Sequence, residues 1–505
     1  MLINRSVVVS AAVVVALLVI GCGAPAGFDR TAAFPDRLAD KIEHIVQSRL
    51  DAGLIPGAAV AIIDPRHGKF SRAYGFADVA TERRSQIHDR YRVGSITKTF
   101  VAVAVLRLVE AGELGLHDRL SKFVAGIPNG DRITIWDLLG MRGGIVDFSS
   151  NSVFEPLMMA DAAVARWTPE DTLRLIKRHR DKAQPPNYQT VYSNSEYFLL
   201  GLVLEKVTGR PVGVVINELI GAYGLHETGY PNDAVMPAPA SHGYAYSGDV
   251  RTDVTMRTSP AVWGAAASVV SSVTDLASYA QSFGRGRLLR PESFEAQTSF
   301  VEGTSFGSTF EYGLGLMRAG SWLGHTGSVL GYTAITMYLP QRRVSVAITV
   351  NQNTFPGGQL YVDATLIWAD IVDELYPGTL FAPHEPQTAP NPPLPKSADL
   401  TARIRAALDP ATPAAGRQLR IADTDADPEL FTKVARVYAS HKIAVTVDKV
   451  TEIGPAQMLA TTHKTSPYGN APMVIPFYAV DGTWQISTEW ACQQIFDEVE
   501  SPACA

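Results

Sequence analysis

Ser95-Ile96-Thr97-Lys98 sets a hydroxyl and an amine three residues apart, and it is the one Ser-x-x-Lys in the chain. If these residues open a helix, both side chains fall on one face. The helix N-terminus turns free backbone N–H groups and a positive dipole end toward charge developing on the serine oxygen. A lysine amine removed from water loses its proton near neutral pH and can act as a base. These are the parts of a serine nucleophile that is acylated and then released. A lone Ser-x-x-Lys is also met where a serine caps an exposed helix. Here Gly94 precedes the serine, and Phe100-Val101-Ala102-Val103-Ala104-Val105-Leu106 follows, too apolar for a surface helix. The lysine is therefore expected to be partly buried, which is costly without a task.

Two further motifs carry complementary chemistry. In Tyr192-Ser193-Asn194 a phenol beside a lysine can share its proton, and an amide can both donate and accept. Tyr230-Pro231-Asn232 and Tyr468-Gly469-Asn470 have the same spacing, but only Tyr192 stands at the entrance of a strongly apolar segment, Ser195 to Thr208. His325-Thr326-Gly327 lies between strand-like flanks. A glycine within a strand suggests close approach of another backbone or a ligand. A single histidine is more often structural than catalytic, but in the company of the other two motifs His325 is a candidate catalytic residue.

The elements that must hold these motifs can be read from pattern. Asp36 to Leu50 reads as a helix. Gly57 to Ile63 and Lys69 to Gly75 read as a hairpin about Pro65-Arg66-His67-Gly68. A largely helical middle follows. Tyr332 to Leu339 and Val344 to Val350 form a second hairpin pattern, and Gln359 to Tyr376 a last amphipathic helix. Strands at both ends with helices between them predict an α/β body: one antiparallel sheet built from both termini, flanked by helices, with an all-helical region inserted. Residues 381–399 contain six prolines and read as a linker. The tail, 400–505, reads as a small α+β domain with a helix at Leu430 to His441 and strands at Ala444 to Ile453, Met458 to His463, Met473 to Val480 and Thr483 to Thr488.

In this order and context the three motifs resemble the serine penicillin-recognising hydrolases, in the branch of class C β-lactamases, D,D-peptidases and related esterases. The resemblance spans about residues 36–380. It is reinforced by Ile133 to Leu139, Gly221 to Tyr230 and Ser271 to Leu276. It implies a β-lactamase/D,D-peptidase-like fold, with Ser95 as acylated nucleophile and Lys98 and Tyr192 as the proton-transfer pair. It further implies Asn194 as a substrate and lysine contact, with His325 and Gly327 on the opposite wall along an edge strand. The backbone N–H groups of Ser95 and Ser328 would form the oxyanion hole. Two departures stand out. His325 occupies a position where β-lactamases of this branch usually carry lysine, which shifts weight toward a peptidase or esterase. Leu138-Leu139-Gly140-Met141-Arg142-Gly143-Gly144 replaces the family's polar Leu-Leu-Thr-His-Thr-Ser-Gly. The expected substrates are a small ester, a D-amino-acid peptide or a β-lactam. A β-lactamase, and a catalytically idle wall-binding protein that keeps the fold, are the alternatives. The tail resembles the cone-shaped domains of nuclear transport factor 2 type.

Composition bounds the rest. A net charge of −6 gives no basic footprint for nucleic acid. No metal-binding motif is present, and no cofactor is expected. Residues 1–21 read as a signal peptide, whose apolar run from Val7 to Ile20 is short for a membrane span. Its end, Leu18-Val19-Ile20-Gly21-Cys22, resembles a bacterial lipobox. That implies a lipid on Cys22, a tether over 22–35, and a protein anchored to the cell membrane on its outer side. In an exported chain the remaining cysteines, Cys492 and Cys504, are expected to form a disulfide.

Overall fold

The computed structural model describes residues 34–150, 166–178, 183–247, 250–305, 308–354, 363–380, 392–413, 416–422, 427–454, 457–466, 469–480, 482–495, 499, 501 and 503. The leader, Cys22, nearly all of the tether, most of the linker and Cys504 lie outside them. No helix among the described residues is long and apolar enough to cross a membrane.

The body opens with helix α1 (Asp36–Asp51), then strands β1 (Gly57–Asp64), β2 (Gly68–Asp78) and β3 (Arg83–Arg84). Helices α2 (Thr97–Glu110), α3 (Ile135–Leu139), α4 (Asn194–Thr208), α5 (Val212–Ala222) and α6 (Val273–Gly284) belong to the middle. Strands β4 (Val301–Ser305), β5 (Ser308–Tyr312), β6 (Met317–Ala319), β7 (Trp322–Val329), β8 (Tyr332–Leu339) and β9 (Val344–Val350) follow, and helix α7 (Asp363–Leu375) ends the body. These nine strands form one sheet in the order β3-β2-β1-β9-β8-β7-β6-β5-β4, while two short strand pairs, Tyr91–Arg92 with Val270–Ser271 and Tyr244–Ser247 with Val250–Asp253, lie in the inserted region, which is therefore mainly but not wholly helical. The expected sheet built from both termini is thus present, joined by β1 and β9 through Ala58↔Val350 to Ile63↔Ser345. Strands β4, β5 and β6 were not read from the sequence, because at three to five residues each is too short to show a pattern.

Helices cover both faces of the central strands, which is why β1, β8 and β9 read as almost unbroken apolar runs. Val60, Ile62, Ile335, Met337, Val346 and Ile348 point into the core beneath α1 and α7. Ala59, Ala61, Ala334 and Ala347 face the larger core that holds α2, α4 and α6. The small residues on that side let helices sit close. Thr336 Oγ1 and Ser345 Oγ donate to the Leu276 and Ala277 carbonyls of α6 at 3.0 and 2.8 Å. Helix α2 is buried all round from Thr97 to Leu106, as its composition requires. It stacks Phe100 on Tyr279 of α6, with ring centroids 3.9 Å apart.

In the tail, α8 (Ser397–Ala407) and α9 (Leu430–Ser440) pack with a four-stranded antiparallel meander, β10 (Ala444–Gly454), β11 (Gln457–Ser466), β12 (Gly469–Val480) and β13 (Thr483–Ile486). Two boundaries are corrected. Helix α8 begins at Ser397, inside the stretch read as linker. The last strand stops at Ile486, and α10 (Thr488–Ile495) follows, burying Trp490 against Tyr438 of α9. Strand β10 packs on α1, and Leu459 of β11 joins the core beneath α1 and α7, so the tail sits against the body.

One local device links fold to site. Ser195 Oγ, in the first turn of α4, donates to the Val146 carbonyl (2.7 Å) and accepts from Phe148 N–H (2.9 Å). It thereby straps residues 146–148 to the helix that follows Tyr192. Replacing Ser195 by Ala leaves two buried backbone groups without this partner. Chemical denaturation should show a loss of about 1–3 kcal/mol.

Candidate active site

Ser95 sits in a short 3₁₀ turn, Gly94–Ile96, that leads into α2. The turn is locked from both sides. Thr97 Oγ1 donates to the Gly94 carbonyl (2.7 Å) and accepts from Val269 N–H (2.9 Å), while Val93 N–H bonds the Val269 carbonyl (3.1 Å). Ser95 keeps a half-open surface, whereas Lys98, one turn on, is fully buried. Lys98 Nζ lies 2.8 Å from Ser95 Oγ, 2.7 Å from Asn194 Oδ1 and 3.0 Å from the Ala266 carbonyl oxygen. It also lies over the Tyr192 ring, 4.9 Å from the centroid. Burial lowers its pKa to about 7, against an opposing pull from the Asp147 charge.

That contact set suits a neutral amine. Such a group has two N–H bonds and one lone pair. Asn194 Oδ1 and the Ala266 carbonyl can only accept, so they take the two protons, and the lone pair is left facing the Ser95 hydroxyl. The Tyr192 side chain is itself hydrogen-bonded to Ser95. Burial is the main cause holding its phenol above the usual range, so it stays protonated through the neutral region.

Tyr192 arrives on a segment braced through its backbone. Gln184, Asn187 and Val191 N–H groups donate to the carbonyls of Gly144, Arg142 and Met141 at 2.9, 2.8 and 3.0 Å. Helix α3 ends just before this loop and carries a reciprocal Thr134–Asp137 cap. The Glu196 carboxyl, buried and held well above the usual carboxylic range by that burial, bonds the N–H groups of Gly143, Gly144 and Ile145. Because main chain does the bracing, the loss of the family's polar side chains in 140–144 leaves the support of Tyr192 intact.

The opposite wall is β7. It is not the edge of the sheet, as the resemblance implied, since β6, β5 and β4 lie beyond it. Strand β6 pairs only with Trp322 to Gly324, however. From His325 onward β7 faces the Gly94 turn instead. The two backbones approach so closely that each needs a glycine. A Cβ on Gly327 would overlap the Val93 carbonyl oxygen and stand 3.2 Å from Ser95 N. A Cβ on Gly94, whose φ is +52°, would stand 2.7 Å from Ser328 N. The Ser95 and Ser328 amide nitrogens thus lie on two backbones in close contact.

His325 is held differently. Its Nδ1 lies 2.5 Å from the Thr326 carbonyl oxygen and its Nε2 3.2 Å from the Tyr312 hydroxyl. The carbonyl assigns the ring proton to Nδ1, leaving Nε2 to accept from Tyr312. Burial first, and the Lys98 charge second, lower its pKa to about 3. It meets the cluster through the rings of Tyr192 and Tyr312, with centroids 6.2 and 5.7 Å away. The ring is therefore an uncharged member of this wall at neutral pH.

Sequence reasoning missed Asp147, Ser149, Ala266, Tyr197 and Tyr312. Asp147 had a signal: a lone acid within Ile145-Val146-Asp147-Phe148, costly to bury without partners. Of the cysteines, Cys492 lies in α10, its Sγ 3.6 Å from the Ala503 carbonyl oxygen. Cys22 and Cys504 lie outside the described residues.

Residues 42–366 match the Beta-lactamase family, well over half of the chain. The chain belongs to that family. Residues 393–501 match the C-terminal domain of low molecular weight antigen MTB12. Protein flp of Staphylococcus aureus (strain N315) is 32% identical over 176 residues, 33% of each chain, so this chain matches about a third of that protein's length. The putative penicillin-binding protein PbpX of Bacillus subtilis (strain 168) is 28% identical over 294 residues, covering 57% of this chain and 69% of PbpX. Among solved structures, a D-stereospecific amidohydrolase from Streptomyces sp. superposes with a TM-score of 0.57 at 27% identity, covering 68% of this chain and 99% of its own. The body therefore has the fold of the serine β-lactamase-like hydrolases.

Gly327→Ala should force β7 away from the Ser95 turn. Labelling of Ser95 by a fluorescent penicillin or a fluorophosphonate should slow by about 10²-fold or more. Circular dichroism should show the fold retained.

Proposed function

We propose that this protein is an extracytoplasmic serine hydrolase that acylates Ser95 with small esters or with amides and peptides of D-amino acids. The Lys98 amine, held between Asn194 Oδ1, the Ala266 carbonyl and Ser95 Oγ, is the observation that carries this reading. In the proposed cycle Lys98 takes the Ser95 proton as Oγ attacks the carbonyl carbon, with Tyr192 completing the proton path to the leaving group. The amides of Ser95 and Ser328 would bind the oxyanion where charge develops. Gly327 is the position that lets them converge. Water then attacks the acyl-enzyme, with the Lys98–Tyr192 pair returning the proton to Ser95. Asn194 would serve both Lys98 and the substrate. His325 has a positioning role, as an uncharged support for Tyr312 and Tyr192.

The neutral His325 favours an amide or ester over a β-lactam, whose carboxylate calls for a fixed positive partner. The likeness to a D-stereospecific amidohydrolase supports D-configured amides as the first class to test. The lipobox-like ending at Cys22 supports a lipid anchor at the outer face of the cell membrane. The Cys492–Cys504 disulfide belongs to the same extracytoplasmic proposal, as does a nuclear transport factor 2-like tail.

The test is a panel of a p-nitrophenyl ester, a D-phenylalanine anilide and a chromogenic cephalosporin, beside Ser95→Ala. Turnover of the ester or anilide should fall at least about 10³-fold in the variant. Cephalosporin cleavage should be weak or absent. Because the base form of Lys98 is needed, kcat/KM should rise as pH passes upward through about 7. No turnover of any probe, or turnover that survives Ser95→Ala, would refute the reading.

A further inference from the structure

The Asn194 amide presents two unlike ends, and Lys98 needs one of them. Oδ1 faces Lys98 Nζ at 2.7 Å. Turned over, the amide would set an NH₂ donor against the lysine, and the geometry that leaves a lone pair for Ser95 would be lost. Something must fix the amide, and Asp147 does so from behind. Its Oδ2 accepts from Asn194 Nδ2 at 2.9 Å, and its Oδ1 accepts from both the N–H and the hydroxyl of Ser149 at 2.9 Å. Ser149 Oγ adds a second acceptor for Asn194 Nδ2 at 3.2 Å. Asp147 is itself buried, and the Ser195 strap holds its neighbours Val146 and Phe148.

We propose that Asp147 is a positioning residue of this centre: its carboxylate fixes the Asn194 amide with the carbonyl end toward Lys98, and so aims the lysine lone pair at Ser95. The inference rests on the hydrolase reading above and extends it to a residue outside the three motifs. The negative charge has a second effect, pulling the Lys98 pKa up against desolvation. The titratable groups facing Lys98 are Asp147 from the 146–149 loop, Tyr192 before α4, Tyr197 on α4 and His325 on β7. Asp147 is the acid among them. Removing its charge therefore lowers the Lys98 midpoint.

Asp147→Asn keeps size and an acceptor but removes charge; Asp147→Ala removes both. Two readouts are needed. One is the pH profile of p-nitrophenyl butyrate hydrolysis. The other is NMR titration of the protein labelled with ¹³C-lysine, the Lys98 signal being assigned by Lys98→Arg. Asp147→Asn should move the acid limb and the Lys98 midpoint down by about half a pH unit or more and retain much of kcat. Asp147→Ala should move them the same way and lose about 10²-fold in kcat. A midpoint unmoved in Asp147→Asn, or a wild-type kcat in Asp147→Ala, overturns the proposal. If wild type hydrolyses no ester while the Lys98 midpoint still shifts, the hydrolase reading falls and the hold of Asp147 on Lys98 stands.

Discussion

A primary amine beside a serine hydroxyl is useful as a base only while uncharged, and the structure around Lys98 meets that condition. Desolvation within the buried first turns of α2 makes the proton easy to lose near neutral pH. Two oxygens that can only accept, Asn194 Oδ1 and the Ala266 carbonyl, then decide where the remaining protons point. Neither oxygen lies near Lys98 in sequence. Helix α4 must lie along α2 to deliver Asn194, and the turn Gly264–Ala266 must touch α4 to deliver its carbonyl. Gly201 makes that second contact possible, since a Cβ there would come within 2.7 Å of the Ala265 side chain. The helical region inserted into the sheet is thus a scaffold for one amine.

The second requirement is that Ser95 also meets the sheet. Strand β7 supplies the facing backbone because its pairing with β6 ends at Gly324, freeing the following residues on that side. Gly94 and Gly327 then remove the two side chains that would hold the chains apart. One stretch of main chain therefore ends a β-ladder and begins a wall of the cleft. Such a contact also explains why the sheet is built from both termini. Strands β1 and β2 precede Ser95, β7 to β9 follow the insertion, and closing the sheet brings the two walls together.

The sequence made some of this legible and hid the rest for identifiable reasons. Strands β1, β8 and β9 were readable within a residue or so because both faces are buried and their runs are apolar. The Ser95, Tyr192 and Asn194 side chains were readable because each motif opens a helix too apolar to be exposed. Tyr312 was not, since it works through a contact with His325 made only in three dimensions, and Asp147, a lone acid in an apolar run, gave no hint that its partner is Asn194. Strand β7 was misplaced at the sheet edge because β4, β5 and β6 are too short to announce themselves. At Gly140 to Gly143 the polar loop side chains of the family are missing. The structure shows a loop that works by its carbonyls and amides, which side-chain changes barely touch.

In the proposed acylation step a neutral Lys98 takes the proton from Ser95. The most direct test of this step is rapid-quench mass spectrometry of the full chain with a p-nitrophenyl ester across pH 5–9. One acyl group per chain is expected, mapped to the peptide that contains Ser95. Its rate of formation should rise with a midpoint near 7, the value to which burial lowers Lys98. An acyl group on another residue, or a rate indifferent to pH through that range, would contradict it.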